Sequence, residues 1–244
     1  MRDEEIDAME EVEDTYWWHV GRRRIISRIV KRFLSGSSPR ILDVGCGTGR
    51  NVGLLSEFGS AWGVDMSPAS IEAARRFGIA DRLAYSRATR LPFRDATFDL
   101  VTALDVLEHL DDDAEGLREL WRVLRPGGVL LVSVPAYRFL WSEHDESLGH
   151  RRRYVASELH AKVGVAGFDV MKRSYAITFA FPIILAFRLY RGLFPRVDQE
   201  RSPYVMLPKP LNAFFSRLLE VESQLMDFLS LPVGTSIFVV ARKK

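Results

Sequence analysis

A chain of 244 residues is long enough for one α/β domain with additions and short for two full domains. Hydrophobic residues at 47% and charged residues at 27% are ordinary globular proportions and exclude global disorder. A formal net charge of +2 is too small to imply a nucleic-acid partner, although arginines and lysines cluster at 22–24, 151–153 and 242–244 and residues 1–14 are mostly acidic.

Cys46 is the single cysteine, so no intrachain disulfide forms and a reducing cytoplasm is the expected home. Arg2-Asp3-Glu4-Glu5 does not read as a signal peptide. The acidic start ends in Tyr16-Trp17-Trp18-His19, and apolar residues at 25, 26, 29, 30, 33 and 34 predict a helix that Ser35-Gly36-Ser37-Ser38-Pro39 stops. Residues 40–44 read as a short buried strand running into Gly45-Cys46-Gly47-Thr48-Gly49 and a helix to about Phe58. A second strand, 61–64, ends at Asp65, and Ser67-Pro68 starts a helix that Gly78 closes. Further strands are expected at 83–86, 98–103 and 129–134, with a helix to about Leu124 stopped by Arg125-Pro126-Gly127-Gly128. Strands alternating with helices predict a parallel sheet covered on both faces. A polar and aromatic loop at 135–154 precedes a helix at 157–166, a strand near 169–176 and a last strand at 236–241.

A strand that runs straight into a glycine turn and a helix places unpaired backbone N–H groups at a ligand. The dinucleotide fingerprint needs a glycine or small residue at its sixth place, where Arg50 stands, so a nicotinamide oxidoreductase is disfavoured. Asp65, 20 positions beyond Gly45 at a strand tip, suits the two hydroxyls of a ribose.

Ile41-Leu42-Asp43-Val44-Gly45-Cys46-Gly47-Thr48-Gly49, Gly63-Val64-Asp65-Met66-Ser67, Leu91-Pro92-Phe93, Phe98-Asp99-Leu100-Val101, Leu107-Glu108-His109 and Leu124-Arg125-Pro126-Gly127-Gly128 resemble the successive motifs of class I S-adenosylmethionine-dependent methyltransferases. The resemblance covers about residues 38–136. It implies a Rossmann-like, seven-stranded, mostly parallel α/β sheet whose last strand is antiparallel beside the fifth. It also implies S-adenosylmethionine as methyl donor, with S-adenosylhomocysteine as product. Asp43, Gly45, Cys46, Gly47 and Gly49 would line its methionine part, Asp65 would hold the ribose, Met66 would lie against adenine, and Leu104 and Asp105 would sit near the methyl. Members often carry an acidic residue that reads the adenine amino group; Arg87 stands there, so backbone groups near Ala88 are expected to take over. The implied division is 1–37, an acidic and aromatic segment with its helix; 38–176, the methyltransferase core; 177–232, an apolar helical insertion; and 233–244, the last strand.

Methyl transfer from a sulfonium is a direct displacement that needs alignment and exclusion of water. It needs no metal, and no His/Cys spacing suggests one. A general base helps a protonated acceptor, and His109, His144, His150 and Tyr154 are the catalytic candidates. The triple arginine at 151–153 reads either as solvated surface or as a grip on an acceptor phosphate or carboxylate. The loop Ser142-Glu143-His144-Asp145-Glu146 through Gly149-His150-Arg151-Arg152-Arg153-Tyr154, the front Tyr16-Trp17-Trp18 with Arg22-Arg23, and Leu231-Pro232-Val233-Gly234-Thr235-Ser236 resemble one bacterial branch of these enzymes, related to methyltransferase types 11, 12 and 23 and associated with glycans or lipid-linked intermediates.

The uncharged stretch 175–187, broken by Pro182, is too short for a membrane span. Leu211, Phe214, Leu218, Val221, Leu225 and Phe228 repeat as a helical stripe. The insertion therefore reads as packed helices, a lid, a homodimer face or a surface on the inner face of the membrane, with Arg188 and Arg191 as anchors. The expected acceptor is a small molecule, a glycan or a lipid-linked molecule. The alternatives are a nucleic-acid methyltransferase, weakened by Leu104-Asp105-Val106-Leu107 after the fourth strand, and a non-catalytic S-adenosylmethionine-binding protein.

Overall fold

The computed structural model describes residues 9–76, 78–193 and 207–244, without the side chains of Leu189 and residues 191–193. The first eight residues of the acidic segment, residues 194–206 of the insertion and the Arg191 side chain lie outside that description.

The elements run α1 (Trp17–Phe33), β1 (Arg40–Val44), α2 (Arg50–Leu55), β2 (Ser60–Asp65), α3 (Pro68–Arg76), β3 (Leu83–Tyr85), β4 (Phe98–Leu104), α4 (Asp113–Val123), β5 (Leu124–Pro135), α5 (Glu143–Ser147), α6 (Ala156–Val165), β6 (Phe168–Ala176), α7 (Phe181–Leu193), α8 (Lys209–Phe228) and β7 (Ser236–Lys243). The seven strands form one sheet in the order β3-β2-β1-β4-β5-β7-β6. β7 lies antiparallel between β5 and β6, and the other described pairings are parallel. The Rossmann-like α/β class and the antiparallel last strand match the sequence expectation.

Alternation along the strands builds two cores. Leu42, Val101, Leu130 and Val239 face α4 and α6, whereas Ile41, Leu100, Leu131 and Val240 face α1, α2 and α8. The helix start at Ser67-Pro68 forms as read, with the Ser67 hydroxyl accepting from Ser70 N at 3.2 Å. β5 begins earlier than expected, at Leu124, which pairs with Phe98; Arg125-Pro126-Gly127-Gly128 then form an irregularity before Val129 pairs with Leu100.

The stretch 175–187 is divided between the end of β6 and the first turns of α7, where Pro182 is tolerated. No helix among the described residues is long and apolar enough to cross a membrane. α8 packs on α1, with Arg24 paired to Glu220 and Arg28 to Asp227. The helices approach so closely at Gly21 that an added Cβ would overlap the Leu219 side chain. Residues Leu219, Glu222, Ser223 and Met226 form the buried face of α8. The sequence stripe lies mostly on the other face, where Leu211, Phe214, Val221, Leu225 and Phe228 are exposed, Phe228 at 85%.

Candidate active site

Four loops meet at the carboxyl ends of β1, β2, β4 and β5. After β1 the chain turns at Gly45, Gly47 and Gly49, whose φ angles of 72°, 53° and 83° favour glycine. Four of the loop's N–H groups are already paired within the protein, contrary to the sequence expectation. Gly45 and Cys46 both donate to Val64 O at 2.8 and 3.0 Å, Gly49 donates to Cys46 O at 2.9 Å, and Gly47 donates to Asp65 Oδ2 at 3.0 Å. Cys46 also turns its thiol into the core, where it is 4% exposed and burial pushes its pKa up. Its expected place along the ligand is thereby reduced to its backbone.

Asp65 accepts from Gly47 N and, at 2.8 Å, from Ser67 N. A carboxylate has about four lone-pair sites, so both oxygens retain capacity for a diol. Met66, beyond it, is 56% exposed. Ala88 lies in a turn closed by Arg90 N donating to Arg87 O at 3.0 Å, half-buried against the core. Asp43 is fully buried; Thr102 donates to its Oδ1 at 2.6 Å, and its Oδ2 has no partner. Burial, with Asp65 nearby, raises the Asp43 carboxyl to about 7.

Sequence reasoning missed the brace around this centre. Arg22, on α1, pairs with Asp105 and donates to Ser133 Oγ at 2.6 Å, and the Ser133 hydroxyl reaches Asp105 Oδ1 at 3.1 Å. This holds Asp105 at φ 59°, a left-handed backbone that a non-glycine residue adopts at a cost of about 1–3 kcal/mol. The Arg22 guanidinium lies 4.3 Å from the Trp18 ring centre. Glu13, buried at 3% exposed, accepts from the Thr48 hydroxyl at 2.6 Å and from Arg50 Nε at 2.8 Å, so part of the acidic segment is tied onto the glycine loop. Acidity was visible in the sequence, but its target was not.

The loop after β5 docks on the turn after β4. Arg151 N donates to Glu108 O at 2.8 Å and Arg151 Nε to His109 O at 3.1 Å. Arg152 donates to Leu110 O and Asp111 O, each at 2.9 Å. Arg153 grips Asp145 at 2.7 and 3.0 Å. The triple arginine thus clamps the loop, with Arg151 still half exposed at its edge. Tyr154 also departs from expectation. It is 1% exposed, and its hydroxyl donates to Asp113 at 2.8 Å, which commits it to the scaffold. His109 and His150 stand edge to face, ring centres 4.8 Å apart, and His144 stands exposed on α5. His150 Nδ1 hydrogen-bonds Asp145 Oδ1 at 2.8 Å. Burial, with His150 beside it, holds His109 down at about 4, a neutral ring at pH 7.

A glycine turn, a ribose-type acid at the neighbouring strand tip and a 3-2-1-4-5-7-6 sheet define a nucleoside-binding α/β core. Residues 42–132 match the family model described as a methyltransferase domain. A probable S-adenosylmethionine-dependent methyltransferase of Mycolicibacterium smegmatis is 33% identical over 162 residues, covering 65% of this chain and 61% of that protein. The chain spans about half the length of other curated relatives that it matches. A chain from the complex between the Haloferax volcanii Trm112 methyltransferase activator and a methyltransferase superposes with a TM-score of 0.61 at 21% identity, covering 99% of this chain and 98% of that one. The [4+2]-cyclase SpnF superposes with a TM-score of 0.59 at 22% identity, covering 90% of this chain and 80% of that one. These structures share the fold. Over residues 42–132 the chain is similar to the methyltransferase-domain family, one of whose relatives is the S-adenosylmethionine-dependent methyltransferase of Mycolicibacterium smegmatis. The family's cofactor is S-adenosylmethionine, and the buried, unpartnered Asp43 Oδ2 beside the glycine turn fits a ligand that carries positive charge.

Proposed function

We propose that the protein moves a methyl group from S-adenosylmethionine to an amphiphilic acceptor, a small molecule, glycan or lipid-linked molecule, presented at a membrane surface. The methyl-transfer half rests on Asp43 and Asp65 flanking the glycine turn. Asp65 would hold the ribose, Asp43 would face the methionine part, and Leu104 with Asp105 would border the methyl. The bound sulfonium supplies an electrophilic methyl. The protein's task is then to fix geometry and keep water out, to which the Arg22–Asp105–Ser133 brace contributes. If the acceptor is a hydroxyl its proton must leave, and His109, within reach of the Asp105 charge, would assist with His150 beside it.

The acceptor half rests on one observation: the apolar stripe of α8 faces outward instead of into the core. Ile183, Phe187 and Tyr190 of α7 are exposed as well. Such a surface, with Lys209 and Arg217 also exposed on α8, suits an anionic lipid interface. Sedimentation with vesicles containing phosphatidylglycerol tests it. The protein is expected to co-sediment, and Phe214→Ser with Phe228→Ser to remain in the supernatant. Binding indifferent to these changes, or none by the unaltered protein, would remove the membrane part. Transfer of a radiolabelled methyl from S-adenosylmethionine into a lipid extract tests the acceptor class; label appearing only in RNA would favour the nucleic-acid alternative.

A further inference from the structure

Three ligating side chains converge beneath the loop that follows β5. One candidate ligand atom from each of Glu108, His109 and His150 lies within 4.8 Å of the other two. Glu108 is fully buried, and neither of its carboxylate oxygens has a hydrogen-bond partner among the described residues. A buried carboxylate without a partner is costly in any protonation state. A cation held by this carboxylate and the two imidazoles beside it would relieve that cost. Asp145 takes the Nδ1 of His150, the arrangement that fixes a ring for ligation through Nε2. Asp145 is itself fully buried and fastened by Arg153 and by Ser142 N at 2.9 Å. The backbone of the Glu108–His109 turn is tied to the same loop through Arg151. The arginine clamp therefore has a consequence beyond stability: it brings residues 41 positions apart to one point.

We propose that Glu108, His109 and His150 form a site for one divalent transition-metal ion of the Zn2+, Co2+ or Ni2+ kind. Two nitrogens and one carboxylate oxygen suit such ions and leave a coordination position for water or an acceptor oxygen. In a tetrahedral site with bonds of about 2.1 Å the ligand atoms lie about 3.4 Å apart, so the three side chains close by at most about 1.4 Å on binding. The site assigns the two rings to ligation, which would assist an acceptor through the ion in place of direct proton transfer. It stands or falls without reference to the methyl donor, because its test uses the metal alone.

Untagged full-length protein, stripped with chelator, is titrated with Co2+ and followed by visible absorption. The expected result is d–d bands that saturate at one equivalent and collapse when Zn2+ is added. His109→Ala and His150→Ala are expected to weaken binding by about 100-fold or more, and Asp145→Asn, one shell out, by about 10–100-fold. Glu108→Gln removes the charge with little change in shape. It should keep the native circular dichroism while weakening binding by at least about 10-fold, which separates lost ligation from lost folding. His144→Ala should keep the bands. No bands with the unaltered protein, or saturation unchanged in Glu108→Gln and His109→Ala, would overturn the proposal, as would bands lost only in His144→Ala.

Discussion

The two loops at the carboxyl edge of the sheet are built in opposite ways. The loop after β1 closes on itself and on the adjoining β2: its N–H groups bond Val64, Cys46 and Asp65, and its shape comes from three left-handed glycines. The loop after β5 has little internal structure beyond the short α5. It is knotted around Asp145, buried among His150, Arg153 and Ser142, and fastened to the rest of the protein by arginines reaching residues about 40 positions earlier. A locally determined loop can serve a ligand shared by a whole family. A loop held by remote anchors can be rebuilt for a particular acceptor without disturbing the first.

The sharpest way to break this comparison is Asp145→Ala. It leaves Arg153 and His150 without their shared partner in a buried site, and should cost about 3–5 kcal/mol in urea unfolding. Affinity for S-adenosylhomocysteine, measured below the transition, should stay within a few-fold. A large loss of affinity would show that the loops are not separable.

The pH dependence of the ligand-free protein probes the other loop. The folded Asp43 carboxyl titrates at about 7, whereas the unfolded one titrates near 3.9. The folded state therefore binds more protons in between, and stability contributed by this group falls as pH rises from about 4 to about 7, then levels off. The change reaches up to about 4 kcal/mol over that window. Urea midpoints across this range should show the decline in the unaltered protein and a flatter profile in Asp43→Asn; parallel profiles would contradict the assignment.

Asp65→Ala removes the acceptor for Gly47 N, Ser67 N and the ribose. Affinity for S-adenosylhomocysteine should fall about 100- to 1000-fold by calorimetry, with circular dichroism unchanged, since hydrogen bonds to a charged group contribute about 1.5–3 kcal/mol each. The smallest effect concerns α1, the helix that carries the Arg22 brace. Gly21→Ala crowds Leu219 and should destabilise by about 1–3 kcal/mol, and adding Leu219→Ala should make the double variant less destabilised than the two effects added.

The same contrast explains what the sequence disclosed. The order of strands and helices, the glycine turn, Asp65 and the capped start at Ser67 are short-range features, and each was legible. Asp43 was legible as a motif residue, but its unpartnered oxygen was not. The Gly21 contact, the Arg22 brace and the placement of Glu13 over Thr48 join residues far apart in the chain, and no local pattern announces them. The α8 stripe was correctly read as helical, yet periodicity cannot say which face packs, because the buried face includes Glu222 and Ser223. Glu222 there accepts from Thr178 N at 2.8 Å and holds the turn leading to α7. The expectation that the loop N–H groups stay unpaired failed because Asp65 and Val64 are already within reach.

The most direct test is calorimetry of S-adenosylhomocysteine against purified, ligand-free protein. The account predicts heat that saturates at one equivalent and is lost in Asp65→Ala. A flat titration with both this nucleoside and S-adenosylmethionine, from protein that unfolds cooperatively, would contradict it.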